Sequence, residues 1–278
     1  VKVRVHGGCL LDPAGGRCGV GDLCLADGRI VANGATPADF TAELELDAGG
    51  QAVCPGLVDV CARLREPGQG HEANVLSETR AAAAGGVTSL CCPPDTEPVI
   101  DTPSVVERIH GLAARAGLAR VHACGALTRD LAGEALADMH ALQRAGCVAV
   151  GNALAPVTNS EVLRRALEYA ATCDLTVFLF AEDAFLRGAG IAHEGAGSTR
   201  RGLAPIPETA ETVALARALL LAEHSGARVH FCRLSTARGV AMVAEAKQRG
   251  LAVSADVALA HLHLADEDLD GFDPQARF

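Results

Sequence analysis

Pro55-Gly56-Leu57-Val58-Asp59-Val60-Cys61-Ala62-Arg63-Leu64-Arg65-Glu66-Pro67-Gly68 marks the point at which the chain changes character. Its apolar run, Gly56 to Ala62, has the length of a buried strand and ends in charged and turn-forming residues. Downstream the run recurs at Val87 to Cys92, Ala119 to Cys124, Cys147 to Val150, Leu175 to Phe180, Ala227 to Leu234 and Leu251 to Val257. Between these lie stretches with helical spacing: Asn74 to Ala84, Thr102 to Ala116, Glu134 to Ala145, Ser160 to Cys173, Glu208 to Ser225 and Thr236 to Arg249. Thr102 before Pro103, and Asn159 or Ser160 before Glu161, are helix-capping patterns.

Strand alternating with helix indicates a parallel sheet. No glycine-rich dinucleotide loop follows the first run, so a (β/α)8 barrel of the TIM type fits better than an open doubly wound sheet. Such a barrel typically needs about 250 residues, and 224 follow Cys54. Residues 54–278 are therefore expected to form about seven of eight βα units, truncated at the C-terminal side. Residues 1–53 read differently, as short apolar stretches broken by turns, with Asp27-Gly28 as a hairpin signal. They are expected to form a small antiparallel β unit. Val1-Lys2-Val3-Arg4-Val5 alternates as a strand does and lacks the layout of a signal peptide.

Composition narrows the function classes. The chain has 278 residues, 49% hydrophobic and 21% charged, which excludes disorder. Its formal charge of −10 argues against nucleic-acid partners and anionic membrane surfaces. Charged residues or glycine interrupt every apolar run short of a membrane span. Eleven scattered cysteines with no Cys-x-x-Cys pair read as buried thiols in a reducing cytoplasm. Neither a nucleophile elbow nor a phosphate loop occurs.

The stretch Pro55 to Gly68 resembles the first barrel strand of the dihydroorotases, in the amidohydrolase superfamily, which reads Pro-Gly-(Leu/Ile)-(Ile/Val)-Asp-x-His-x-His-Leu-Arg-Glu-Pro-Gly. The resemblance continues through Arg80 to Thr88, Pro94-Asp95-Thr96-Glu97-Pro98, Ala181-Glu182-Asp183, Gly202-Leu203, Pro207, Ala210-Glu211 and Leu234-Ser235-Thr236. It implies a metal-dependent hydrolase of a cyclic amide. The departures from the pattern point elsewhere. Where the family has its paired histidines, this chain has Cys61 and Arg63, and a guanidinium stays protonated where the ion should sit. The fourth-strand carboxylate or modified lysine falls within Gly151-Asn152-Ala153, the fifth-strand histidine is Phe180 and the sixth-strand histidine is Arg233. His230 aligns with a non-ligand position, and the eighth-strand aspartate would lie beyond Phe278.

Arg65 stands where the family recognises the substrate carboxylate, while the family's Pro-Asn-Thr asparagine is Asp95, so an Arg65–Asp95 pair is expected. His261-Leu262-His263 has ligand-like spacing but matches a stretch that does not supply the principal ligands. Without the histidine before them, Glu182 and Asp183 are expected to hold helix or loop amides.

Cys61, Arg63, Arg65, Asp95, Asn152, Phe180, Arg233 and His261 thus define a vestigial pocket, with no catalytic residue and no metal expected. The resemblance is nearest to the inactive dihydroorotase homologues that accompany bacterial aspartate transcarbamoylase. It implies a cytoplasmic, non-catalytic subunit in a hetero-oligomer with the transcarbamoylase catalytic subunit. The alternative is an active dihydroorotase, or another cyclic amidohydrolase of hydantoinase or allantoinase type, which would need zinc or a base such as His230, His261 or Asp95. A third reading is an anion sensor using Arg63, Arg65 and Arg233.

Overall fold

The computed structural model describes residues 1–269, which fall into two compact units, Val1–Leu57 and the chain from Val58 onward. In the first unit, β1 (Lys2–Asp12), β2 (Arg17–Ala26), β3 (Arg29–Gly34), β4 (Leu44–Asp47) and β5 (Ala52–Val53) form one sheet. The order is β3-β2-β1-β4, with β5 also on β1. Asp27 and Gly28 have φ of 50° and 74°, the backbone twist that suits a two-residue hairpin. The expected all-antiparallel unit is corrected, because β4 and β5 both run parallel to β1. The connection from β3 to β4 is long enough to carry the chain back to the start of β1, as parallel pairing requires. Asp22 ties this connection down, accepting from Thr36 Oγ1 at 2.6 Å and from Arg4 Nη2 at 2.8 Å. A bulge between Val5 and Gly8 divides β1 into one half for β4 and one for β5. Glycine is required there, since a Cβ on Gly8 would lie 2.6 Å from Val53 Cγ2 and 2.9 Å from Ala48 Cβ.

The second sheet contains β6 (Leu57–Asp59), β7 (Val87–Cys92), β8 (Arg120–Ala126), β9 (Cys147–Gly151), β10 (Thr176–Phe180), β13 (Val229–Cys232) and β14 (Val253–Ala255), neighbours in chain order. Pairing from β7 to β14 is parallel throughout. Helices α1 (Val75–Ala84), α2 (Pro103–Ala116), α3 (Met139–Arg144), α4 (Ser160–Thr172), α7 (Glu208–Ser225) and α8 (Ala237–Gln248) join successive strands. The result is a curled sheet of the barrel type, with seven strands among the described residues. Between β10 and α7 the chain makes an excursion through α5 (Ala184–Arg187), β11 (Ala192–His193), α6 (Ala196–Arg201) and β12 (Pro205–Ile206), where β11 and β12 pair.

Local chemistry sets these boundaries. Asn74 Oδ1 accepts from Ser77 N–H at 2.9 Å, and Ser77 Oγ accepts from Asn74 N–H at 3.0 Å, a reciprocal cap on α1. Asn159 Oδ1 caps α4 through Glu161 N–H at 2.9 Å. Thr102 occupies the cap position of α2 without a side-chain cap bond. The helix expected from Glu134 begins only at Met139, because Leu136 bridges to Thr128 and Ala137 N–H donates to Leu127 O. Among the described residues no helix is long and apolar enough to cross a membrane.

Strand periodicity divides the core. On β7, Leu90 and Cys92 join a cluster with Ile100, Val106 and Ile109, while Cys91 joins Cys124 and Ala149 in another. On β10 and β13, Val177, Leu179, Val229 and Phe231 pack with Leu167, Leu215 and Leu219. That leaves Phe178, Phe180, His230 and Cys232 for the opposite, interior face. The expectation that the cysteines are buried holds for six; Cys18 and Cys54 are exposed, Cys9, Cys61 and Cys232 are partly so, and all eleven are free. Phe231 is fully buried and Phe185 is 87% exposed. Phe231→Ala is expected to destabilise by about 3–5 kcal/mol in urea unfolding, and Phe185→Ala to stay within about 0.5 kcal/mol.

Candidate functional site

The interior face ends in side chains at the C-terminal edge of the sheet, where barrels of this type place their chemistry. Behind β6, Ala62 N–H donates to Cys91 O at 2.9 Å, which fixes Cys61 and Arg63 beside β7. Arg63 then meets Asp95, with Nε and Nη2 at 2.9 and 2.8 Å from Oδ2. The expected Arg65–Asp95 pair is therefore corrected. Arg65 sits at φ 61°, donates to Gln69 Oε1 at 2.9 Å and lies 3.5 Å from Glu72 Oε2. The strand has ended before Arg65, so its direction follows the turn rather than strand alternation. A cavity of about 340 Å3 adjoins these groups, lined in part by Arg63, Arg65, Gln69, Cys92, Asp95 and Glu97. A larger hollow, about 710 Å3, lies around Thr88, His110, Arg120 and His122 near the start of β7 and β8, away from these groups.

Asn152 is buried and fully engaged. Its Oδ1 accepts from Thr128 Oγ1 at 2.8 Å and Thr128 N–H at 3.2 Å, and its Nδ2 donates to Leu131 O at 3.0 Å. It shapes the loop after β8, with its carbonyl oxygen taken by Thr128 and one amide N–H by Leu131. Phe180 ends β10 opposite Cys232. His261 lies in an exposed 3₁₀ turn, Leu259–Leu262, so its spacing from His263 is not that of a strand. Asp183 caps α5 through Phe185 and Leu186 N–H. Glu182 instead lies 3.5 Å from Arg187, and burial, only partly offset by that guanidinium, raises its pKa.

Sequence reading did not single out the groups at β13 and β14 as a cluster. His230 Nε2 lies 2.9 Å from Asp256 Oδ2, and His230 Nδ1 lies 2.8 Å from Ser254 Oγ. Arg233, at φ 58°, turns its N–H onto Asp256 Oδ1 at 2.6 Å. Burial pushes the Asp256 carboxyl upward, but the hydrogen bonds from His230 and the Arg233 N–H, with the nearby Arg233 guanidinium, outweigh it, leaving the pKa below the ordinary value. The His-x-Cys spacing of 230 and 232, followed by an aspartate one residue past the next strand, was the available signal. Behind the cluster, Glu211 of α7 accepts from Ser235 N–H and Oγ at 2.8 and 2.9 Å, and from Thr236 N–H and Oγ1 at 3.1 and 2.6 Å.

A sequential parallel sheet with helices between its strands and polar groups at the strand ends is the architecture of the (β/α)8 barrel class. L-hydantoinase from Arthrobacter aurescens superposes with a TM-score of 0.82 over 98% of this chain and 61% of that one, at 21% identity. D-hydantoinase from Bacillus sp. AR9 gives 0.74 over 99% and 61%, at 23% identity, and this likeness too is one of fold. The dihydro-orotase-like family pattern matches residues 50–238. The chain is 55% identical, over 98% of its length, to a dihydroorotase-like protein of Pseudomonas aeruginosa, and 42% identical, over its whole length, to a dihydroorotase of Pelotomaculum thermopropionicum. The chain belongs to the dihydro-orotase-like family. It spans 64% of the length of each of these two relatives.

The zinc that the family implies does not fit the residues at the family's ligand positions. Arg63 brings a cation already paired with Asp95, the Asn152 amide is consumed by its loop, and Phe180 has no donor atom. Cys61 is raised in pKa, chiefly by burial. Burial likewise pushes Cys91 and Cys92 up to about 12. Iodoacetamide at neutral pH is therefore expected to modify Cys18 and Cys54 first, with Cys61, Cys91 and Cys92 reacting at a comparable rate only after unfolding, as followed by peptide mass spectrometry.

Proposed function

We propose that this chain is a non-catalytic dihydroorotase-like subunit that supports the assembly of aspartate carbamoyltransferase in pyrimidine synthesis. The observation that carries the reading is the Arg63–Asp95 ion pair, which puts a neutralised guanidinium where the family keeps a metal-binding imidazole. The seven strands and their helices keep a buried core and side-chain caps such as those on α1 and α4, which supports a fold that persists where the family's ligand positions lack donors. The anion-sensor reading loses support, because Arg63 and Arg65 already have carboxylate neighbours.

Active hydrolysis of dihydroorotate is the second reading. It is favoured by the His230–Asp256 contact, which offers a hydrogen-bonded imidazole at the strand ends as a general base.

Gel filtration of the whole gene product, co-expressed with the aspartate carbamoyltransferase catalytic chain of the same organism, tests the proposal. The expected outcome is co-elution in one large species carrying carbamoyl-transfer activity, with a smaller or weaker transferase when this chain is omitted. Separate elution with full transferase activity would overturn it. Dihydroorotate is expected to remain unhydrolysed in the presence of zinc or manganese, and turnover would move the assignment to the second reading.

A further inference from the structure

His230, Cys232 and Asp256 converge at the C-terminal ends of β13 and β14, at positions that are not the family's ligand positions. His230 and Cys232 are two apart on β13 and so share a face. The register of His230 with Ser254 and Phe231 with Ala255 then brings Asp256 beside Cys232. One donor atom from each residue lies within 4.8 Å of the other two, and all three side chains are partly buried. We propose that this triad binds a single divalent ion of the zinc class, through imidazole nitrogen, thiolate and carboxylate, with a fourth position open to water.

The donor types select the ion. A thiolate with an imidazole and one carboxylate suits zinc or cobalt, whereas magnesium and calcium require oxygen ligands. Charge also balances, since thiolate and carboxylate together neutralise a divalent cation. The outer partners hold the donors in place. Arg233 N–H fixes one oxygen of Asp256 and leaves Oδ2 toward His230, while Ser254 Oγ sits against Nδ1. On binding, the Cys232 thiol proton leaves to solvent. The proton that Nε2 shares with Asp256 Oδ2 must also leave Nε2: a neutral imidazole shifts tautomer through solvent to carry its proton on Nδ1, where the Ser254 hydroxyl accepts it, and Nε2 then ligates. Burial holds the Cys232 thiol protonated in the absence of an ion.

This inference is independent of the scaffold reading, because a three-donor structural ion is compatible with a chain that does or does not turn over substrate. The test is titration of the chelator-stripped whole chain with cobalt(II), then with zinc(II). One equivalent of cobalt is expected to give a thiolate-to-metal charge-transfer band and the visible bands of a four-coordinate site, both bleached by zinc. C232S is expected to lose the charge-transfer band. H230Q and D256N are expected to weaken binding by at least the ~10–100-fold expected for S254A, which removes only an outer partner. C54S, which alters an exposed thiol, is expected to match the parent. D256N keeps an oxygen for the Arg233 N–H and so separates loss of a ligand from loss of the loop. Absence of stoichiometric binding, or a charge-transfer band that survives in C232S, would overturn the proposal.

Discussion

A strand covered by helices on one side must turn every second residue to the other side, and this constraint of period two governs the second unit. The helix side takes Leu90, Val177, Leu179, Val229 and Phe231, and they make the large core clusters. The interior side receives small, sulfur-bearing, aromatic or polar residues: Cys91, Cys124, Ala149, Phe178 and His230. Two residues that are adjacent in sequence, Cys91 and Cys92, therefore belong to different parts of the molecule. The same rule puts His230, Cys232 and Asp256 at one edge without any of them being neighbours in the chain.

Charge is handled at this edge by local pairing. Arg63 is matched by Asp95, Arg65 by Gln69 and Glu72, and the Asp256 carboxylate by His230 and a backbone N–H. Arg63 reaches from the end of β6 to the loop after β7, Arg65 pairs within the loop after β6, and His230 of β13 meets Asp256 after β14. The edge is thus a set of small, separately satisfied contacts, with no single buried charge holding the others. A pair such as Arg63–Asp95, still partly exposed to solvent, contributes modestly to stability, so its main consequence is to occupy space and neutralise charge.

How much of this was legible in the sequence follows from what each signal encodes. Apolar runs separated by amphipathic stretches gave the strand and helix order from Leu57 to Ala255, because burial periodicity is a local property. Strand direction in the first unit was not legible, since the run at Leu44–Asp47 looks the same whether it pairs parallel or antiparallel. The excursion with β11 and β12 escaped because two-residue strands have no period to detect. In the site, the positions of Cys61, Arg63, Asn152, Phe180 and Arg233 could be assigned from their motifs. The partner of Asp95 could not, because it depends on where β6 ends and how Arg65 turns at positive φ. Cys232 and Asp256 were passed over because they lie beside, and not on, the positions at which ligands were sought.

The grip of Glu211 on Ser235 and Thr236 bears on the history such a chain can have. Four hydrogen bonds donated to one carboxylate set the path of the loop after β13 at Ser235 and Thr236. Just before it, the N–H groups of Arg233 and Leu234 are held by Asp256 Oδ1 and O, at 2.6 and 2.9 Å, so this turn is fixed through main-chain groups. None of these contacts uses the side chain at position 233, so the bonds that shape the loop do not depend on the Arg233 guanidinium. At such a position the side chain facing the pocket can be exchanged in a single mutational step while the loop that carries it keeps its anchors.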